Sequence, residues 1–246
     1  MILKRHNRYL KAINMRNLQT RIQDAARAVV ESIQDQWFDR TRRVRTSGIV
    51  YLTQAGIPAD EIRDSEYYVP ARPRHIREAL CATPVGNVSD YTYIDLGSGK
   101  GRTLFVAAEL PFRQIIGVEF SKKLHEIAGA NVRTFSWGKR RCCEITCLHM
   151  DAAEFKFPEG PLILYMFNPF GAGTMQRVLK NLAKSLGREP RHVVVVLLWP
   201  RCGDQVASLE GMRLVSKDEH HEIFEAHDRI AVAPQRASVN SPAELK

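Results

Sequence analysis

A glycine-rich stretch between two acids is the part of this 246-residue chain whose residue types and spacing could do chemistry. Gly97, Gly99 and Gly101 occupy alternate positions after Asp95, which ends a short apolar run, and the next apolar run ends at Glu119. Glycines let the backbone turn sharply and present bare N–H groups to a ligand. A carboxylate at the end of the following strand suits the two hydroxyls of a ribose. The stretch therefore predicts a nucleotide-binding turn.

The glycine spacing distinguishes between classes of nucleotide. The dinucleotide fingerprint G-x-G-x-x-G needs a glycine where Arg102 stands, so that pattern fails. The segment Asp95–Gly101 instead reads D-L-G-S-G-K-G, which resembles motif I of the class I S-adenosylmethionine (SAM)-dependent methyltransferases. The resemblance implies SAM as the cofactor, with Asp95 at its methionine end and Glu119 on both ribose hydroxyls. The implied cofactor pocket also contains Gly97, Ser98, Gly99, Gly101 and Phe120.

The elements around this stretch alternate between strand and helix patterns, which is typical of an α/β fold with a parallel sheet. Five strands are predicted, at Tyr91–Ile94, Ile115–Val118, Glu144–Met150, Pro161–Phe167 and Arg191–Trp199. Helices are predicted over Thr103–Leu110, Ser121–Phe135 and Met175–Leu186. Gly211–Val215 and either His221–Ala226 or Arg229–Val232 would add an antiparallel hairpin. The resemblance implies a Rossmann-like methyltransferase sheet of seven strands, mostly parallel with an antiparallel last strand, plus an N-terminal helical extension.

Two more positions acquire a role from the resemblance. An acid after the third strand hydrogen-bonds the adenine amino group in this family, and here Asp151 stands at that place with Ala152 as a neighbouring contact. The family often covers the cofactor with a segment that precedes motif I. Tyr68, beside Pro70 and before a short helical stretch at His75–Leu80, would belong to that lid. A plain surface turn is the alternative for Tyr68.

The segment Asn168–Pro169–Phe170 follows the fourth strand, at the sheet edge where ligands bind in open α/β folds. Its N-x-F pattern is similar to that of uncharacterised bacterial methyltransferases related to the Dot1 lysine methyltransferases, which carry N-N-F there. It is also similar to the N-P-P-Y/F motif of enzymes that methylate amino groups. We expect methyl transfer to nitrogen, with Asn168 and the Pro169 carbonyl orienting the acceptor and Phe170 lining its path. The alternative is an ordinary strand-end turn.

Charge is concentrated in the first fifth of the chain. Residues 1–48 hold eleven Lys/Arg against four Asp/Glu, and the whole chain has a net charge of +9. Leu18, Ile22, Ala25, Val29, Ile33 and Trp37 step by three or four, which predicts one apolar stripe on a helix from Leu10 to Phe38. We expect this stripe to pack on the catalytic domain or on a second subunit, as in a homodimer. The basic face could meet nucleic acid, an anionic membrane or an acidic protein.

These patterns divide the chain into four segments. Residues 1–48 form the basic N-terminal extension, 49–90 a lid segment, 91–234 the SAM-binding catalytic domain and 235–246 a loose tail. No apolar run reaches the ~20 residues of a membrane span, and the N-terminus lacks a signal-peptide pattern, so a cytoplasmic location is expected.

The cysteines do not form a known metal pattern. Cys142, Cys143, Cys147 and His149 lack the C-x₂-C pair of common zinc modules, so no metal site is predicted. The histidines at 149, 192, 220 and 221 are candidates for a catalytic base by residue type alone.

The favoured hypothesis is a SAM-dependent methyltransferase that acts on a nitrogen of a protein, lysine-like acceptor. Nucleic acid or a small molecule is the alternative acceptor. A nicotinamide oxidoreductase is disfavoured by Arg102 and by the missing catalytic Tyr/Lys pair. A protein of the methyltransferase fold that binds RNA or protein without turnover also remains open.

Overall fold

The structure, a computed structural model, describes residues 23, 25–26, 28–51, 53, 67–136, 141–142, 144–227 and 231–232. Its strands are β1 Val50–Tyr51, β2 Tyr67–Tyr68, β3 Thr92–Leu96, β4 Gln114–Glu119, β5 Ile145–His149, β6 Leu162–Met166, β7 Val193–Leu198, β8 Leu209–Glu210, β9 Arg213–Lys217, β10 His221–Ala226 and β11 Ala231–Val232. Its helices are α1 (28–42), α2 Pro73–Cys81, α3 Arg102–Ala107, α4 Lys122–Thr134, α5 Ala172–Arg188 and α6 Gly203–Ala207. A 3₁₀ turn covers Ala152–Glu154.

Seven of these strands form one sheet in the order β5-β4-β3-β6-β7-β10-β9. The first five are parallel, and β10 runs antiparallel to both β7 and β9. The predicted Rossmann-like sheet of seven strands with an antiparallel end is confirmed. Of the two candidates for its last strand, His221–Ala226 is the one in the sheet, whereas β11 pairs with β8 outside it.

Apolar side chains cover both faces of the sheet. One core lies on the side of α2 and α3 and includes Tyr93, Phe105 and Tyr165. The other lies on the side of α5 and includes Leu164 and Leu182. The four valines of β7 are fully buried, as expected for a strand covered on both faces. The five parallel strands therefore present all of their carboxyl ends at one edge.

The helix ends follow the local signals. Ser121 caps α4, since its hydroxyl accepts a hydrogen bond from the Leu124 N–H. A proline begins α2, where its missing N–H leaves no intrahelical bond unmade. The predicted third helix, Met175–Leu186, is longer at both ends in the structure.

The N-terminal extension departs from its prediction. The helix continues to residue 42, and Phe38 is buried against the first core. The stripe residues Val29, Ile33 and Trp37 are 58, 62 and 61% exposed, so this part of the stripe does not pack on the catalytic domain. The prediction that these residues pack on the catalytic domain is therefore wrong, because the buried face is offset from the stripe by one residue, and packing on a second subunit stays a prediction. Leu18 and Ile22, and the whole 235–246 tail, lie outside the described residues.

No described helix has both the length and the apolar composition that a membrane crossing needs.

Candidate functional site

The glycine loop, residues 97–101, turns directly off the end of β3. The N–H groups of Gly97 and Ser98 both donate to the Val118 carbonyl, at 2.8 and 3.0 Å, which fixes the loop against β4. Gly97, Gly99 and Gly101 have φ values of 87°, 55° and 86°. An L side chain rarely adopts these angles, so the three glycines are a backbone requirement of the turn.

Glu119 joins this loop to the end of β4. Its Oε2 accepts a hydrogen bond from the Gly99 N–H at 2.7 Å, and its Oε1 accepts one from the Ser121 N–H at 2.8 Å. The residue is 8% exposed, and burial raises the pKa of its carboxyl group while these backbone bonds lower it. Each oxygen keeps a second lone pair, so the oriented carboxylate can accept from two hydroxyls.

Asp95 lies one strand away and is 2% exposed. It accepts a hydrogen bond from the Thr103 hydroxyl in the first turn of α3. Burial is the main cause that raises the pKa of Asp95 to about 7, although the bond to Thr103 acts in the opposite direction and Glu119 adds repulsion.

The cations nearest to these acids point elsewhere. Lys100 Nζ donates to the carbonyls of Ser47 and Gly48 at 2.6 and 3.1 Å, and Arg102 binds the N-terminal extension. In the described part of the chain, neither Asp95 nor Glu119 takes part in an ion pair. Two buried carboxylates therefore share one site without a protein cation.

Two side chains from distant parts of the chain lie directly on the glycine loop. A Cβ added at Gly99 would overlap the ring of Tyr68, and one added at Gly97 would overlap Pro169. The Tyr68 hydroxyl donates to the Thr46 carbonyl at 3.0 Å, and β1 pairs with β2 to hold the segment in place. Tyr68 and Pro169 thus lie against the loop, and the absence of a Cβ at Gly99 and Gly97 is what allows this approach. The lid role of Tyr68 and the acceptor role of Pro169 stay predictions.

Asp151 lies at the same sheet edge but has local partners. The Met150 N–H donates to the Glu119 carbonyl at 3.1 Å, which places residue 151 beside the end of β4. The Asp151 carboxylate caps the following 3₁₀ turn through the Ala153 N–H and lies 3.3 Å from Arg177 Nη2. Ala152 is buried in the second core. Phe120 is half exposed beside Glu119.

Asn168 has a different local role from the predicted one. Its Nδ2 donates to the Trp199 carbonyl, and its Oδ1 accepts from the Arg201 N–H at 3.1 Å. The side chain therefore links the loop after β6 to the loop after β7, and its expected role in orienting an acceptor stays a prediction. Asn168 and Trp199 both have positive φ, at 43° and 45°, a strained conformation that concentrates at functional sites. Phe170 packs partly against the second core.

An aromatic cluster at the end of β7 was missed by the sequence reasoning. The ring of His75 lies 4.8 Å from that of Trp199 and 4.4 Å from that of His220, and Phe167 contacts Trp199 from β6. Among the residues that the structure describes, the Nδ1 atoms of both histidines are buried and have no hydrogen-bond partner. Burial and the neighbouring His220 lower the pKa of His75. No local pattern joins residues 75, 199 and 220, because only the fold brings them together.

Arg102 is the other missed residue, and it anchors the N-terminal extension. Its side chain is 1% exposed, and it donates to Asp35, to Thr46 Oγ1 at 2.7 Å and to Ser47 Oγ at 2.9 Å. Asn131 of α4 also holds this segment, since its Oδ1 accepts from the Arg45 N–H and its Nδ2 donates to the Lys100 carbonyl. The N-terminal extension is therefore held against the glycine loop by these hydrogen bonds.

The cysteine-rich stretch does not form a metal centre in the described residues. Cys147 and His149 lie on β5 and belong to no cluster of three metal-ligand side chains there. His149 Nε2 lies 3.0 Å from the Phe120 carbonyl.

Comparison with known proteins gives fold likeness alone. No family model matches the chain, and no curated protein matches it. Solved structures that it resembles include magnesium protoporphyrin IX methyltransferase from Synechocystis PCC 6803 with bound SAM, at 17% identity over 82% of this chain and 96% of that one, with a TM-score of 0.43. An RNA methyltransferase from Salinibacter ruber in complex with S-adenosyl-L-homocysteine aligns at 20% identity over 65% and 94%, with a TM-score of 0.42.

The YcgJ protein from Bacillus subtilis aligns at 17% identity, with a TM-score of 0.39, and the match spans about half of each chain, 51% of both. Identities and scores at this level describe a partial likeness of fold and do not place the chain in a family.

Proposed function

We propose that this chain is a SAM-dependent methyltransferase that transfers a methyl group to nitrogen. The observation that supports this most is the pair of buried carboxylates, Asp95 and Glu119, beside a glycine loop whose own cation Lys100 and neighbour Arg102 bind the N-terminal extension instead. A positively charged cofactor compensates two buried negative charges, whereas an anionic one adds to them.

The same observation argues against a nicotinamide dinucleotide. Its pyrophosphate would sit on the glycine loop, where N–H groups and positive charge are needed. Here Lys100 and Arg102 are engaged with residues 35–48, and the Gly99 N–H is already bonded to Glu119. The loop therefore offers a poor site for a phosphate and a good one for a sulfonium and an amino group.

The residues present fit SAM at specific points. Glu119 would accept from both ribose hydroxyls, and Asp95 would face the amino acid end. Tyr68 would close over the loop from the β1–β2 hairpin and exclude water. When bound, the cofactor supplies a methyl group already activated by its sulfonium, so the protein has mainly to position the acceptor nitrogen.

The acceptor side follows from the strand order. Glu119 ends β4 and Asp151 follows β5, so these two acids mark one side of the glycine loop for the adenosine. The ends of β6 and β7 lie on the other side, where Pro169, Trp199 and His75 stand. We infer that the acceptor binds there, positioned by the Asn168 link between the two loops, by the Pro169 carbonyl and by Phe170.

A lysine-like protein acceptor remains the favoured substrate, with nucleic acid as the alternative. A lysine ammonium must lose a proton before it can attack. His75 is neutral near pH 7 because its pKa is lowered, and its buried Nδ1 has no partner, so it could accept that proton. An open groove of about 1440 Å³ between α1 and α2 is lined by His75 and His220. Through this groove an acceptor could reach the two histidines.

The cofactor assignment is tested by calorimetry with SAM and with NAD. We expect SAM to bind and NAD not to bind. Glu119→Ala should weaken SAM binding at least about tenfold, since a hydrogen bond to a buried charged group contributes ~1.5–3 kcal/mol. Glu126→Ala, on the exposed face of α4, is the control. Equal SAM affinity in both variants would remove Glu119 from the site.

The acceptor is tested by labelled methyl transfer to cell extract treated separately with nuclease and with protease. Loss of label after protease alone supports a protein acceptor, and loss after nuclease alone supports the nucleic acid alternative. Asn168→Ala should then reduce transfer by ~10²-fold or more through mispositioning while SAM affinity stays near wild type.

A further inference from the structure

A second cluster of chemically capable side chains lies at the opposite edge of the sheet. His192 immediately precedes β7 and His227 immediately follows β10. These strands are antiparallel, with Ala226 opposite Val193, so the two histidines are brought together at the amino end of β7. Glu225, the next-to-last residue of β10, lies between them.

The distances between the three side chains are close to those between ligand atoms around a metal ion. Glu225 Oε2 lies 3.5 Å from His192 Nε2 and 3.6 Å from His227 Nε2. One ligand atom from each residue falls within 4.8 Å of the others. Ligand atoms around a tetrahedral zinc ion with bonds of about 2.1 Å are themselves about 3.4 Å apart. Within the described part of the chain, the Nε2 of His192 is also buried without a hydrogen-bond partner, which lowers stability unless a ligand binds there.

The surroundings of the cluster prepare each ligand. His192 Nδ1 lies 2.6 Å from the Tyr91 hydroxyl, whose oxygen can accept the Nδ1–H and leave the lone pair on Nε2. Arg213 engages Oε1 of Glu225, so that Oε2 is the oxygen that faces the histidines.

We propose that His192, Glu225 and His227 form a binding site for a divalent transition metal, with zinc the best match to two imidazoles and one carboxylate. This donor set leaves a fourth position for water. The two imidazole rings are parallel, with centroids 4.2 Å apart. For both rings to bind one ion, the ring of His227 would have to rotate. Its side chain is 63% exposed and has room to do so. The ion would join the start of β7 to the end of β10, away from the glycine loop.

The experiment is calorimetric titration of the full chain with zinc chloride after treatment with chelator, in a Cys81→Ser background that removes an exposed thiol. We expect one zinc per chain. His227→Ala should weaken binding by ~100-fold and Tyr91→Phe by ~10-fold, since outer partners of metal ligands typically contribute 10–100-fold. His149→Ala removes another exposed histidine as the matched control and should leave the affinity unchanged.

Two further measurements complete the test. Zinc should raise Tm in the parent protein and in His149→Ala, but not in His227→Ala, because a ligand that binds only the folded state stabilises it. Cobalt should give the intense visible absorption of a tetrahedral site in the same two proteins. Absence of saturable zinc binding, or equal affinity in His227→Ala and His149→Ala, would overturn the proposal and leave the cluster as an acid–base group around Glu225.

Discussion

The buried carboxyl group of Asp95 should make the proposed cofactor site sensitive to pH. Its pKa is about 7 in the folded protein against an ordinary value of 3.8. Between pH 3.8 and pH 7 the folded state therefore binds a proton on Asp95 more tightly than the unfolded chain does. The contribution of Asp95 to stability is therefore highest below pH 4 and falls as the pH rises toward 7. Thr103, which donates to the carboxylate, limits the effect.

Two measurements test this titration with Asp95→Asn, which cannot ionise. Urea unfolding between pH 4.5 and 7.5 should show the parent losing stability relative to the variant as pH rises. The affinity for cationic SAM should increase from pH 6 to pH 8 in the parent, because deprotonated Asp95 attracts it, and should be flat in the variant. Parallel curves in both assays would mean that Asp95 does not titrate in this range.

Gly99 and Tyr68 form a steric pair at the residue scale. An alanine at position 99 meets two penalties, a φ of 55° and overlap of its Cβ with the Tyr68 ring. Gly99→Ala should therefore destabilise the protein and weaken SAM binding. In a double-mutant cycle, Tyr68→Ala should recover the steric part of the loss and leave the part due to φ. Strict additivity of the two changes would show that the ring moves aside without cost.

At the scale of elements, the attachment of the N-terminal extension to the glycine loop depends on Arg102. Its buried guanidinium group binds Asp35, Thr46 and Ser47, and its charge lies over the Phe38 ring at 5.4 Å. The extension and the loop are thus one packed unit, and the loop's neighbour Lys100 also donates to the extension.

Loss of the Arg102 side chain should lower the stability of the folded protein. Arg102→Met should lower the free energy of unfolding by about 3 kcal/mol, near the low end for breaking a buried ion pair, because Asp35 and Asp39 keep some contact with water. The matched control is Arg74→Met, whose side chain is 82% exposed in a surface pair with Glu78 and whose loss should leave Tm unchanged. Equal effects of the two substitutions in chemical denaturation would show that the extension is a loose appendage. A chain that begins at Gly48 should be destabilised for the same reason.

At the scale of the whole molecule, the exposed stripe on α1 is the surface that needs a partner. Val29, Ile33 and Trp37 are all more than half exposed on one helix face, and contiguous exposed apolar surface commonly marks an interaction site. The expected homodimer through this helix stays a prediction.

Sedimentation velocity across a concentration series tests the dimer. The parent should sediment as a dimer at micromolar concentration, and Trp37→Glu should shift it to monomer while the far-ultraviolet circular dichroism is preserved. Glu210→Lys, an exposed charge change on β8, serves as the control. A parent that is monomeric at all concentrations would rule out this interface.

The sequence by itself predicted the strands of the sheet and the residues that lie at the edge proposed here as the cofactor site. Apolar runs that end close to Asp95, Glu119 and Asn168 place these residues near the carboxyl ends of strands, because the extent of each strand can be recognised from its local apolar pattern. The turn formed by the three glycines could also be predicted from the sequence, because glycines at that spacing are typical of a turn with positive φ.

Tertiary structure decided what those residues touch. The partners of Arg102 lie 55 to 67 residues away, the His75–Trp199–His220 cluster spans three elements, and His192 meets Glu225 and His227 through strand pairing. Asn168 looked available for an acceptor, yet its amide bonds two loops. The stripe on α1 looked buried, yet the face that packs is set by where Phe38 meets the core. Such contacts depend on the relative position of elements, which local periodicity does not encode.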